Sequence, residues 1–382
     1  MKTDIIQQSI PNGWQEKKLG DVLDYERPDQ YIVKSVSYSN KSKTPVLTAN
    51  KSFILGYTDE EFGIYKNIPV IIFDDFTTDS KFVNFPFKIK SSAIKILKER
   101  DVSINLRFVF EKMKSINFQT GSHKRFYISQ YQNLKILLPP LEEQQKIAEI
   151  LGAVDEDIAK TQELIDTTEK LKKGLMQELF TPQNGWEEKR LGDICDIVNG
   201  STPKRTVSEY WENGNIPWFT VEDIRSSGRI INKTNQSITD KALKETSVKL
   251  LPEDSVLLCC TASLGEVAFT KIPLTTNQQF NGLISKDKEN LYPEYLFYSA
   301  QKLGESLKSK SGKTTISFLS VGTLSKEKIL LPSLEEQQKI ADIFSSIDEK
   351  ISVNKKLKEK LITLKKGLMQ DLLSGRVRVS IN

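Results

Sequence analysis

Enzymatic chemistry needs nucleophiles, acids, bases or metal ligands at workable spacing, and this chain is poor in such groupings. It has one histidine, His123, in 382 residues. That excludes a histidine-rich zinc site and makes any Ser-His-acid triad depend on one loop residue. Gly312-Lys313-Thr314 ends like a phosphate loop, yet the glycine required five positions before Gly312 is Leu307. Asn84-Phe85-Pro86-Phe87 is one residue away from the Asn-Pro-Pro-Phe motif of adenine methyltransferases, and no glycine-rich cofactor loop accompanies it. Pro28-Asp29 opens like a nuclease motif, but no acid-x-lysine follows. Paired acids such as Glu142-Glu143 are better explained by a helix N-terminus than by acid/base work. No active site and no metal site are expected.

The groupings that remain suit binding. Several loops mix small hydroxyl or amide side chains with Lys or Arg, the combination used for phosphate and base-edge contacts. In the first half they supply Thr48, Asn50 and Lys51, then Ser122, His123, Lys124 and Arg125. In the second they supply Ser201, Thr202, Lys204 and Arg205, then Lys310, Lys313 and Thr314. Taken singly, each is an ordinary solvated loop. Two in each half, at places that look comparable, make them candidates for contact with nucleic acid.

What positions them is a frame written twice. PNGWQEKKLGDV, residues 11–22, returns as QNGWEEKRLGDI, residues 183–194. LLPPLEEQQKIAEIL, residues 137–151, returns as LLPSLEEQQKIADIF, residues 330–344, and the register holds to LKKGLMQELF and LKKGLMQDLL. Between these blocks, Asp21–Lys135 and Asp193–Lys328 share little sequence and differ in length. Near-identical scaffold segments with dissimilar inserts imply one architecture presenting two different readers.

The repeated blocks predict long helices. Pro139-Pro140 and Pro332 precede them, Ser333 and Glu336 have capping-box spacing, acids fill the first turn, and lysine pairs Lys172-Lys173 and Lys365-Lys366 come late. Pro182 and Gly375 are placed to end them. Apolar residues at steps of three and four give one seam of Ile147, Leu151, Val154, Ile158, Leu164, Leu171, Leu175 and Leu179. The other has Ile340, Phe344, Ile347, Ile351, Leu357, Leu361, Leu364, Leu368 and Leu372. Each helix would be about 60 Å long, and one apolar stripe cannot bury itself, so the simplest partner is the other copy. Thr161, Thr168 and Asn354 interrupt the seams. They either control register or are exposed where the seam drifts.

The inserts contain strand-length apolar runs at Val70–Phe73 and Ser255–Cys260, further strand patterns at Tyr38–Ser52 and Ile216–Val221, and helical spacing at Glu294–Lys308. The expected fold class is α+β, with two globular mixed α/β domains and two long coiled-coil helices in a pseudo-twofold internal repeat. The expected domains are residues 1–138, a helix over 139–181, residues 182–330, and a helix with tail over 331–382.

Composition agrees. Apolar residues at 38% can build real cores, and a formal charge of +5 tolerates a nucleic-acid partner without demanding one. Three cysteines, Cys195, Cys259 and Cys260, form no CxxC, so no disulfide framework is expected and a reducing cytoplasm fits. The first residues carry no apolar leader pattern and no run is long enough to span a membrane.

The alternation of divergent insert, EEQQKIA helix, divergent insert and EEQQKIA helix, with GWxxxxLGD starts, closely resembles the specificity subunit of type I restriction–modification systems. The second insert adds Gly200-Ser201-Thr202-Pro203, Tyr210-Trp211, Ile216-Pro217-Trp218 and Thr276-Asn277-Gln278-Gln279-Phe280, which look like recurrent family segments. The first insert lacks that series and looks like a different subtype. The resemblance implies two target-recognition domains held apart by the two helices as an antiparallel coiled-coil pair, reading a bipartite, gapped double-stranded DNA target. It implies two modification subunits, which use S-adenosylmethionine to methylate adenine N6, and restriction subunits that use ATP and magnesium. No cofactor is expected in this chain itself. The alternatives are a coiled-coil interaction scaffold without DNA binding and, more remotely, a self-sufficient methyltransferase.

Overall fold

The computed structural model describes residues 10–35, 37–39, 42–50, 52–120, 124–261, 263–311 and 319–380. Lys51, Ser122, His123, Lys313 and Thr314 of the candidate set lie outside them. The chain divides into two compact units. One is Met1–Glu163 with Lys355–Asn382, and the other is Leu164–Asn354. Each joins a mixed α/β globule to a pair of helical segments.

In the first unit, strands β1 (Gln15–Lys18), β2 (Leu23–Glu26), β3 (Thr44–Leu47), β4 (Ile54–Thr58), β5 (Val70–Asp74), β6 (Ser80–Val83), β7 (Lys88–Ile89), β8 (Ile94–Glu99) and β9 (Lys135–Leu138) build three sheets. The largest has the order β2-β8-β5-β6, a smaller one β4-β3-β7, and β1 pairs with β9. Strand β5 reads VIIFD and is buried throughout. Side chains alternate across a strand, so Ile71 and Phe73 join one core cluster while Val70 and Ile72 join another. An unbroken apolar run is therefore what a strand between two cores requires. A helix at Leu106–Ser115, capped by the Asn105 side chain accepting from Phe108 N at 2.9 Å, covers the first core. Leu106, Val109, Phe110 and Met113 give it helical spacing, although its Phe-Val-Phe run also suits a strand.

The second unit repeats the plan with β10 (Glu187–Arg190), β11 (Cys195–Asn199), β12 (Ile216–Phe219), β13 (Ile230–Ile231), β14 (Gln236–Ile238), β15 (Val256–Cys259), β16 (Val267–Thr270), β17 (Thr275–Thr276), β18 (Phe280–Ser285) and β19 (Lys328–Leu331). Its sheets have the orders β11-β18-β15-β16-β13, β14-β12-β17 and β10-β19. Strand β15 divides its side chains as β5 does, with Val256 and Leu258 in one cluster and Leu257 and Cys259 in another. The helix expected at Glu294–Lys308 runs Pro293–Ser311.

The long helices run Leu141–Glu178 and Leu334–Ser374. Ser333 caps the second, its hydroxyl accepting from Glu336 N at 3.3 Å while the Glu336 carboxylate accepts from Ser333 N at 3.3 Å. Gly375, with φ +72°, follows its last residue. Within each unit the helical segments run antiparallel. Lys365 bonds Asp155 at 2.6 Å and Lys358 bonds Gln162 in the first unit. Lys172 bonds Asp348 at 2.6 and 2.8 Å in the second.

The seam needs correction in its middle. Ile147, Leu151, Ile340, Phe344 and Ile351 are buried, and Val154, Ile158, Leu175, Ile347, Leu361 and Leu368 are half-buried. Leu171 and Leu364, however, are 55% and 52% exposed, and Leu164 and Leu357 are also exposed. The buried face continues through Thr161, Ile165 and Thr168, in steps of four and three. The threonines are not exposed where the seam drifts. Their hydroxyls donate to Asp157 O and Leu164 O one turn back, at 2.7 and 2.6 Å, so burial leaves them satisfied. Phase along the helix, not leucine hydrophobicity, decides which residues lie inside.

Candidate nucleic-acid interface

In the first unit the β5–β6 turn gathers the candidate loops. Asp74 Oδ1 accepts from the backbone N–H groups of Phe76 and Thr77 at 2.9 and 3.0 Å, which shapes the turn. The Thr77 hydroxyl lies 3.5 Å from Asn50 Oδ1. The loop ending in Lys124 and Arg125 is tied to the next residue, Asp75, with Phe126 N donating to its carbonyl and Tyr127 N to its carboxylate, both at 2.8 Å. Asp75 is buried and paired with Lys95 at 3.4 Å. The Arg125 guanidinium stands 5.8 Å from the ring of Phe76, an aromatic left 37% exposed at the turn. Asn50, Phe76, Thr77, Lys124 and Arg125 thus share one neighbourhood, whereas Thr48 is half-buried behind it. Beside them opens a cleft of about 330 Å³, lined by Arg27, Asp29, Ser92, Arg125 and Ser129 above the Asp75–Lys95 pair. Burial pushes the Tyr127 phenol beneath this loop well above its ordinary range.

In the second unit Gly200–Arg205 clasps the loop after β17. Ser201 N donates to Thr276 O at 2.8 Å, and a Cβ on Gly200 would fall 2.0 Å from Asn277 O, so only glycine permits the approach. Ser201 and Ser247 hydroxyls lie 2.8 Å apart, and the Thr202 hydroxyl donates to Gln278. Trp218 donates its indole N–H to Ser201 O and Trp211 to Lys204 O, each at 3.2 Å. The two rings meet edge to face at 5.0 Å, and the Arg205 guanidinium rests 3.7 Å from the Trp211 centroid and 4.7 Å from that of Trp218. Lys204 and Arg205 are exposed, while Ser201 and Thr202 are half-buried. Lys310 belongs to the last turn of the Pro293–Ser311 helix.

The four loops match only in part. Leu319 N donates to Cys260 O at 2.9 Å as Phe126 N does to Asp75 O, so the later loop of each half ends at the same place on its sheet. The earlier loops do not correspond. Gly200–Arg205 follows β11, whose counterpart is β2, so its equivalent is the stretch from Arg27 to Tyr31. Thr48–Asn50 follows β3, the counterpart of β12. Arg27, Phe76, Thr77 and Gln278 join the candidates only through the fold. An exposed aromatic inside an Asp-rich turn was the available signal for Phe76, and the Asn277-Gln278-Gln279 run for Gln278.

One clamp of the frame under these loops repeats bond for bond. Gln144 Oε1 accepts from Asn105 N at 2.8 Å, and its Nε2 donates to Pro139 O and Ser103 O at 2.9 and 3.1 Å. Gln337 does the same with Tyr292 N, Pro332 O and Asn290 O, each at 2.9 Å. Glu143 differs from its repeat mate. It accepts from the Trp14 indole at 3.0 Å and from Arg378 through both oxygens, whereas Glu336 serves the Ser333 cap.

Comparison with known proteins agrees with this plan. The profile of the type I restriction modification DNA specificity domain matches residues 11–170 and again 183–363. A type I restriction enzyme specificity subunit of Escherichia coli is 35% identical over 349 residues, covering 86% of this chain and 85% of its own. One from Methanocaldococcus jannaschii is 25% identical, over 97% and 94% of the two chains. Among solved structures, the S subunit of a type I restriction-modification system from M. genitalium superposes with TM-score 0.69 at 17% identity, over 100% of this chain and 99% of that one.

Proposed function

The chain belongs to the family of type I restriction–modification DNA specificity subunits, and from that premise we propose that its two units each read one half of an interrupted duplex target. The observation that carries this reading is the contrast within the fold. Sheets, buried glutamine clamps and helix pairing repeat, while the loops they present differ in length, sequence and chemistry. Two unlike readers on one frame suit a target with two unlike halves. Nothing among the described residues favours a scaffold without DNA.

The chain recognises; partners perform the chemistry. Modification subunits bring S-adenosylmethionine and methylate adenine N6, and restriction subunits bring ATP and magnesium. Two modification subunits suit a frame that occurs twice. Exposed leucines support this count, because Leu164 and Leu171 in one unit and Leu357 and Leu364 in the other are repeat equivalents left outside the seam. The compartment is the cytoplasm. All three cysteines are buried and unpaired, which suits a reducing compartment.

Long-read mapping of N6-methyladenine, with and without this gene, tests the proposal. One two-part, gapped motif disappears on deletion. An unchanged methylation pattern, in cells where the modification partners are expressed, contradicts it.

A further inference from the structure

Arg205 stands out among the exposed cations of the second unit. Its guanidinium lies against the Trp211 and Trp218 rings, at 3.7 and 4.7 Å from their centroids. Both rings are themselves fixed, Trp218 by burial and each indole by its hydrogen bond to a backbone carbonyl of the same loop. Among the described residues no carboxylate pairs with Arg205 and no side chain or carbonyl takes its N–H groups. The rings hold the guanidinium in place and leave its N–H groups for a ligand. A planar, immobilised fork of N–H donors matches two acceptors side by side. Because the side chain is ordered before any ligand arrives, little entropy is lost on binding.

We infer that Arg205 reads a guanine, donating to O6 and N7 in the major groove, in the half-site recognised by the second unit. The inference rests on the two-reader function above. A phosphate could also accept from these N–H groups, but their neighbours favour a base. Ser201, Thr202, Ser247 and Gln278, the polar side chains linked around the loop, are neutral hydroxyls and an amide, the groups used at base edges. Adjacent Lys204, exposed and unstacked, is the better phosphate ligand, since a flexible point charge suffices there.

The test uses the chain assembled with its modification subunits. The methylated motif and duplex affinity over a range of salt are compared for wild type, Arg205→Gln, Arg205→Lys and Lys204→Ala. With Arg205→Gln, one guanine of the half-motif assigned to the second unit by insert exchange becomes degenerate. Discrimination there falls about 10- to 100-fold, and the other half-motif is unchanged. Arg205→Lys retains part of the preference. Lys204→Ala weakens all sequences alike and reduces the salt slope. A second half-motif without guanine overturns the assignment. So does an unchanged motif with uniformly weaker, less salt-dependent binding of Arg205→Gln, which marks a phosphate contact. Loss of assembly in both Arg205 variants makes the stack structural and also overturns it. A wild-type complex with no gapped motif at all is a different failure, that of the two-reader function itself.

Discussion

Gln144 and Gln337 show how one side chain can hold a variable domain on a constant frame. Each is buried, and each exchanges all three of its hydrogen bonds with backbone groups, so the residue types across the contact are free to change. That role gives the EEQQ spelling a physical meaning that periodicity could not supply, because a glutamine one turn into an amphipathic helix reads as solvent-facing. Tyr127 is the opposite case. Among the described residues its buried hydroxyl has no partner, and burial raises its phenol, as it raises neighbouring Tyr131 to about 12. A phenol raised above its ordinary value near 10 contributes stability that is full below pH 10 and lost as pH climbs through the folded value. Tyr127→Phe should therefore be neutral or stabilising by about 1 kcal/mol at pH 7. It should also lose less stability than wild type between pH 10 and 12. Urea midpoints at the three pH values check this, and equal alkaline losses would show that the phenol does not enter the fold neutral.

Between elements, the repeat conserves a lysine–aspartate contact that its surroundings make unequal. Lys365 and Lys172 are repeat mates, as are Asp155 and Asp348. In the first unit the Leu106–Ser115 helix adds Glu111, whose fully buried carboxylate takes Lys365 at 3.0 Å and Arg107 at 2.9 Å. In the second unit Asp348 keeps a third of its exposure and a hydrogen bond from the Tyr298 hydroxyl at 3.2 Å. Lys365→Met leaves a buried acid with one cation fewer and should cost about 2–3 kcal/mol. Lys172→Met should cost about 1 kcal/mol or less, because its partner is hydrated and still bonded. Thermal unfolding of the two variants measures the order, and a larger loss at Lys172 would contradict it. The existence and caps of these helices were legible in the sequence, because charge, proline and apolar spacing agreed, whereas their antiparallel sense came only from the family resemblance. Seam phase was not legible. Thr161 and Thr168 satisfy their hydroxyls on their own helix, and only the packed partner shows that a threonine lies inside and a leucine outside. The candidate interface was legible as a set of loops but not as a place, since β5 and β6 had to fold before Phe76 and Thr77 could gather Asn50 and Arg125.

At the scale of the whole chain, the arrangement separates what must stay constant from what is free to vary, and this bears directly on exchange of the reading domains. Residues 21–135 are held through backbone groups at the Gln144 clamp and lie between β1 and β9, which pair with each other inside the frame. Replacing them with another family insert should leave that clamp intact and change one half of the methylated motif only. A motif changed in both halves would contradict independent readers. The exchange carries one side-chain condition. Lys365 and Asp155 belong to the frame, whereas Arg107 and Glu111 travel with the insert. An incoming domain with no acid at the position of Glu111 leaves Lys365 with Asp155 alone, while one with no base at that of Arg107 buries an acid with a single cation. Both chimaeras should read their new half-site, yet the second should be less stable, since the charge that loses a partner is then the deeper one. Unfolding midpoints measured beside the methylation maps separate recognition from stability, and a chimaera that keeps both residues should match the parent in midpoint while differing in motif.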